Sequence, residues 1–159
     1  MGLSPKLVCV SLGTLHPLNP IPNAPIRSIH PTREQAGLAA AQHVVALLGK
    51  LLREQSTARV IFACAPSQNE FLESLRGPLS SQIAWDRVTA FHMDEYIGLS
   101  EKHPASFRNY LREHFLSHVP VGKFYPIQGE NPVAAECARY SALIAEAPID
   151  LICLGIGEN

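Results

Sequence analysis

Ala58-Arg59-Val60-Ile61-Phe62-Ala63-Cys64-Ala65-Pro66-Ser67-Gln68-Asn69-Glu70 changes character at Ala65-Pro66, and that change decides the fold. Its first seven residues are an apolar, β-branched run of strand length that reads as buried on both faces. The proline ends the run, and Ser67 followed three residues later by Glu70 has the form of a capping box opening a short helix through Leu75. A doubly buried strand leading directly into a helix is half of a parallel βα repeat, since parallel strands need a crossover and the crossing helices cover the sheet.

Upstream, Thr32-Arg33-Glu34-Gln35 has the same capping form and opens a helix that fades near Glu54. Leu38, Val44, Val45, Leu47, Leu48, Leu51 and Leu52 are its expected buried face, and Ile26 to Ile29 is a short strand candidate before it. Downstream, Arg87 to His92 reads as a third strand, followed by a polar loop through Gly98 and a helix from about Ala105 to His118. The spacing of Phe107, Tyr110, Leu111 and Phe115 makes that aromatic stripe core rather than a cofactor platform. Lys123 to Ile127 is a brief extended segment. Asn131-Pro132 then starts a helix with Val133, Cys137, Tyr140, Leu143 and Ile144 inward, and Ile149 to Leu154 is a buried strand entering Gly155-Ile156-Gly157-Glu158-Asn159. The alternation argues for an α/β domain of three layers around a mostly parallel sheet. A strand entering a Gly-x-Gly turn should lead to a covering helix, so residues 26–159 read as the N-terminal part of a longer domain, truncated at its C-terminus. Residues 1–25, broken by Pro5, Pro17, Pro20, Pro22 and Pro25, read as a poorly ordered extension with room for a regular element only around Leu7 to Leu12.

Composition sets the bounds. The 159 residues are 47% hydrophobic and 17% charged, which supports a packed core in one domain and excludes general disorder. Thirteen basic against fourteen acidic residues leave no surplus to neutralise a phosphate polymer, so nucleic acid is not an expected partner. Cys9, Cys64, Cys137 and Cys153 include no C-x-x-C pair and read as thiols of a reducing, cytoplasmic compartment. No apolar run reaches the ~18 residues needed to cross a bilayer. The run after Lys6 faintly resembles a signal peptide, but proline follows it instead of a small-residue cleavage site.

In an open parallel sheet, ligands bind beyond the carboxyl ends of the strands, and three loops are expected there. Ala65 to Asn69 offers free amides at a helix start, suited either to an anion or simply to Ser67 capping its helix. Asp94-Glu95 places two carboxylates after an apolar strand, where one can face a ligand and serve in proton transfer. Gly155 and Gly157 let the backbone approach a ligand closely, without the third glycine of a dinucleotide fingerprint. His92 reads as a core histidine, and neither it nor His103, His114 and His118 has a ligand set at metal spacing.

Val88 to Leu99 with its Met93-Asp94-Glu95-Tyr96-Ile97-Gly98-Leu99 loop, His103-Pro104-Ala105-Ser106-Phe107, and Leu154 to Asn159 together resemble the glucosamine-6-phosphate deaminase/isomerase family, in the right order. The resemblance runs from about Ile26 to the end. It implies a Rossmann-like fold, a phosphorylated amino-sugar substrate, no metal or organic cofactor, and conversion of glucosamine 6-phosphate and water to fructose 6-phosphate and ammonia. Family members are often oligomers, so a homo-oligomer is compatible with the resemblance. Asp94 matches the aspartate that carries the proton between C2 and C1, with Glu95 and Tyr96 shaping its loop. Asn159 matches an Asp or Asn that assists ring opening, which an amide can do only by hydrogen bonding. Ser67, Gln68 and Asn69 match the phosphate loop, with Gly155 and Gly157 beside it. There the chain departs from the family's Thr-Gly-Gly-Thr pattern, and Glu70 brings a carboxylate near the expected phosphate unless it turns back as the capping partner of Ser67. The family motif continues beyond Asn159 with Gly-His and further catalytic residues. The alternatives are a 6-phosphogluconolactonase, whose loop typically reads Asp-Glu-Arg where this chain has Asp94-Glu95-Tyr96, and a non-catalytic sugar-phosphate binder.

Overall fold

The computed structural model describes residues 27–155 and the backbone of Lys6–Val8; Gly157 and Asn159 lie outside the described residues. In chain order the elements are β1 (Lys6–Val8), α1 (Arg33–Glu54), β2 (Ala58–Phe62), α2 (Asn69–Arg76), β3 (Val88–His92), β4 (Asp94–Tyr96), α3 (Phe107–Leu111), β5 (Lys123–Tyr125), α4 (Val133–Ala145) and β6 (Leu151–Cys153). The main sheet has the order β5-β3-β2-β6, with every pairing parallel. The path runs from β2 through β3 to β5 and then returns to place β6 on the far side of β2. That reversal is a topological switch point, flanked by the loops after β2 and β6. Phe62 pairs with both His92 and Cys153, so the three strands end at one level and their following loops share one edge.

Two apolar layers cover the sheet. Ala58, Val60 and Phe62 of β2 and Val88 and Ala90 of β3 pack with Leu48 and Leu52 of α1, Leu72 and Leu75 of α2, and Leu111 of α3. On the other face, Phe91, Ile127 and Tyr140 form a second cluster, joined by Ile61, Leu143 and Ile144. Arginines from the strand region complete helix ends: Arg87 donates to Leu52 O and Gln55 O at the end of α1, and Arg59 donates to Leu143 O and Ile144 O at the end of α4. A cation there satisfies carbonyls that the helix leaves open and opposes the negative end of its dipole.

Several expectations are corrected. Arg27 to His30 has no regular structure, so the described part of the Ile26 to Ile29 candidate is not a strand. Thr32 does cap α1, its hydroxyl accepting from Gln35 N at 3.3 Å, but Leu38 and Leu47 stay 44% and 40% exposed. The buried stripe runs instead through Gly37, Ala41, Val44, Val45, Leu48 and Leu52. In β2 burial alternates, Arg59 and Ile61 being only half-buried. The helix expected from Ala105 to His118 is capped by Ser106 and changes after Leu111 into a π-helical turn, Arg112–Leu116. Pro132 is the N-cap of α4 rather than its first residue, and Val133 is 41% exposed. In β6, Ile152 is 49% exposed, because its strand forms one edge of the described sheet. Within residues 1–25, β1 pairs antiparallel with β4, setting Val8 against Asp94. Among the described residues no helix is long and apolar enough to cross a membrane.

Candidate functional site

The turn after β2 does not build the expected capping box. Pro66, with its φ fixed, starts a 3₁₀ turn, Pro66–Gln68, and α2 begins only at Asn69; neither start is capped by a side chain. Ser67 is therefore exposed and its hydroxyl is directed at Gly155: a Cβ on Gly155 would lie 2.7 Å from Ser67 Oγ and 2.9 Å from Gln68 Nε2. Buried Gln68 donates from Nε2 to Leu154 O at 3.4 Å. Ser67, Gln68 and Gly155 thus meet across the β2/β6 switch point.

Glu70 does not turn back to Ser67. Its carboxylate takes two hydrogen bonds from Arg33 at the start of α1, Nε to Oε1 at 2.8 Å and Nη2 to Oε2 at 2.9 Å, and Arg33 Nη2 also donates to Pro66 O at 3.1 Å. These bonds hold the Glu70 carboxyl below its usual range, Arg33 being the main cause. The extra carboxylate thus has a cation beside it, which relieves the repulsion expected toward a phosphate. A groove of about 420 Å³ opens between α1, this turn and β6, lined by Arg33, Gly37, Ser67, Gln68, Ile152 and Leu154 among others.

Asn69 faces another way. It is exposed, and Tyr110 of α3 donates its hydroxyl to Asn69 Oδ1 at 2.6 Å and to Ala65 O at 2.9 Å. Burial, then the charges of Cys64 and Glu70, push the Tyr110 hydroxyl up to about 12, so it stays a donor. Tyr110 is a contact that the reading of the aromatic stripe as core did not anticipate.

Asp94 and Glu95 separate in burial and in contacts. Glu95 is fully buried and accepts from Ser106 Oγ at 2.9 Å, Phe107 N at 3.1 Å, Arg108 N at 3.1 Å and Tyr96 N at 2.9 Å. It anchors the start of α3, where free amides and the helix dipole favour an anion. The expectation that Glu95 shapes its loop is met, and Tyr96 shares that work by stacking on Phe107 with ring centroids 5.0 Å apart. Asp94, one residue earlier on β4, is half-buried at the carboxyl edge of the sheet. Burial, then Asp94, then Glu95 raise the thiol of Cys64 well above its usual value, which marks the Asp94 carboxylate as a neighbour of the loop after β2. Asp94 does not line the groove that holds Ser67 and Gln68.

His92 is the core histidine expected. It is 1% exposed, and its Nε2 accepts from Ile127 N at 2.8 Å. Burial and the charge of Arg108 lower the imidazole to about 3, so it is neutral at physiological pH. Sequence reading missed the buried charges Arg108 and Glu136, although both were legible as charges on an apolar stripe: Arg108 shares helical spacing with Leu111 and Phe115, and Glu136 with Tyr140 and Leu143. Among the described residues, no group of three or more His, Cys, Asp or Glu side chains could hold a metal ion.

A family model described as glucosamine-6-phosphate isomerases/6-phosphogluconolactonase matches residues 31–159. A glucosamine-6-phosphate deaminase of Streptococcus sanguinis is 33% identical over 114 residues, covering 69% of this chain and 47% of that protein. One of Lactobacillus delbrueckii subsp. bulgaricus is 37% identical over 82 residues, covering 51% of this chain and 35% of its own length. The chain therefore spans less than half the length of these two relatives. Among solved structures, a monomeric glucosamine-6-phosphate deaminase superposes with TM-score 0.63 at 23% identity, covering 71% of this chain and 47% of that one. A 6-phosphogluconolactonase from Shewanella baltica superposes with TM-score 0.65 at 20% identity, covering 79% and 54%. These structural likenesses show a shared fold.

Proposed function

We propose, for a chain that belongs to the glucosamine-6-phosphate isomerase/6-phosphogluconolactonase family, that the protein carrying it converts glucosamine 6-phosphate and water to fructose 6-phosphate and ammonia. The observation that carries this reading is the division of labour in Asp94-Glu95-Tyr96. Glu95 and Tyr96 are consumed in holding α3, and Asp94 alone of the three is half-buried at the carboxyl edge of the sheet. In the opened sugar, Asp94 takes the proton from C2 and returns it to C1 while O1 gains a proton and the 2-amine loses one; the resulting 2-imine is hydrolysed by water, releasing ammonia and leaving the ketose. Asn159 assists ring opening as a hydrogen-bonding group. Ser67 and Gln68 bind the sugar phosphate from the turn after β2, Asn69, expected there with them, holds the turn through Tyr110 instead, and Gly155 and Gly157 bring the backbone close to the phosphate. The buried thiols of Cys64 and Cys153 support a reducing, cytoplasmic setting.

Tyr96 favours the deaminase over the lactonase. Its stacked, 9% exposed ring fills a place where the lactonase loop carries an arginine, which would require a different surround for its charge. The test is to offer the protein glucosamine 6-phosphate and 6-phosphogluconolactone in parallel. Ammonia from the first with no cleavage of the second is the expected result; the reverse outcome assigns the lactonase reaction, and neither activity, with glucosamine 6-phosphate still bound in calorimetry, assigns a sugar-phosphate binder.

A further inference from the structure

Loop 126–131 is held by buried polar side chains from three elements. Arg108, 1% exposed on α3, donates Nη2 to Leu99 O at 2.9 Å and Nη1 to Ile127 O at 3.3 Å, pairs with Glu130, and places Nε 3.6 Å from Glu95 Oε2. Fully buried Glu136 accepts from Gln128 N at 2.7 Å, and His92 accepts from Ile127 N. Taking an ion out of water is costly until its partners compensate, and apolar packing of similar volume is often at least as stable. Such a network is thus weak evidence of added stability, and what it visibly does is fix geometry. The common result is a loop fixed to β3, α3 and α4 at once.

The turn that follows Asp94 rests on that loop. Gly98 N donates to Gly129 O at 2.7 Å, and any Cβ at Gly129 would run into Tyr96 O. Arg108 bonds the turn at Leu99 and the loop at Ile127 with one guanidinium, while its Nε faces the carboxylate next to Asp94 in the chain. We propose that Arg108 is a positioning residue for Asp94, clamping both ends of the Glu95–Leu99 segment against loop 126–131 so that the carboxylate meets the sugar in one fixed geometry. The proposal rests on the reading of Asp94 as the proton carrier. A planar, five-donor fork suits such a clamp, and a lysine ammonium cannot span the same acceptors.

The test compares Arg108→Lys and Glu130→Gln with wild type and with Phe115→Leu, a core control away from the loop, in the protein that carries this chain. Glu130 is half-exposed, so its variant keeps the clamp testable if Arg108→Lys does not fold. The expected result is amide exchange at Gly98 about tenfold faster than the change in global stability explains, with kcat down about 10- to 100-fold and KM within about twofold. Gly98 exchange that rises only as much as the rest of the sheet, or a KM rise at unchanged kcat, overturns the clamp. Selectively faster Gly98 exchange in the two variants, alongside a wild type that releases no ammonia, supports the clamp and refutes the deaminase reading instead.

Discussion

Asp94 and Glu95 are adjacent in sequence yet differ in burial and contacts, since a strand sends successive side chains to opposite faces. On β4 Glu95 is buried among the amides of α3 and Tyr96 beneath the ring of Phe107, and only Asp94 stays half-buried. The sequence made it legible that one of the two carboxylates could serve chemistry, and the resemblance chose Asp94; the network that absorbs Glu95 depends on Ser106 to Arg108, eleven or more residues away. His92 makes a separate prediction at this scale. Its folded value of about 3 lies below the ordinary 6.5, so its share of stability is complete above that value and is lost as pH falls toward 3. His92→Gln offers Ile127 N an acceptor that does not titrate. Urea midpoints at about pH 7 and about pH 4.5 should show wild type losing roughly 2–3 kcal/mol more than this variant, and equal losses would contradict the assignment.

Two capping texts with the same spacing fold differently at the scale of the element. Thr32 caps α1 as read, whereas Ser67 does not cap α2, because Pro66 first winds a 3₁₀ turn and Arg33 claims Glu70. A capping motif records local preference, while the competitor for Glu70 comes from 37 residues upstream and has no local signature. The consequence is an exposed Ser67 closely apposed to Gly155. Gly155→Ala would push its methyl against Ser67 Oγ and Gln68 Nε2, the ends of side chains that can swing away. Stability should change by less than about 1 kcal/mol, while KM for glucosamine 6-phosphate should rise several-fold at constant kcat, the pattern of lost ground-state binding. Thermal melts and steady-state kinetics together check this.

For the whole molecule, alternating strands and helices made the parallel sheet and its two covering layers legible, because period and strand length are properties of the chain itself. The exposure of Leu38, Leu47 and Ile152 was not legible, since whether an apolar residue is covered depends on which neighbour reaches it. The aromatic stripe of α3 and its π-helical turn carries the larger core cluster: Phe115 is fully buried, 5.2 Å by ring centroids from both Phe62 and Trp85. Phe115→Ala should cost about 3–5 kcal/mol in equilibrium unfolding, and a cost below about 1 kcal/mol would show that this cluster does not bind the α3 layer to the sheet.

If the carboxyl edge of the sheet positions Asp94 to move a proton, the loss of that carboxylate alone stops turnover. Ammonia release from glucosamine 6-phosphate, compared between wild type and Asp94→Asn in the protein that carries this chain, tests it most directly. The amide keeps the shape of the carboxylate and cannot carry the proton. The expected result is a kcat about 10²- to 10⁴-fold lower with KM and the unfolding midpoint little changed; turnover by Asp94→Asn at the wild-type rate would remove Asp94 from the mechanism.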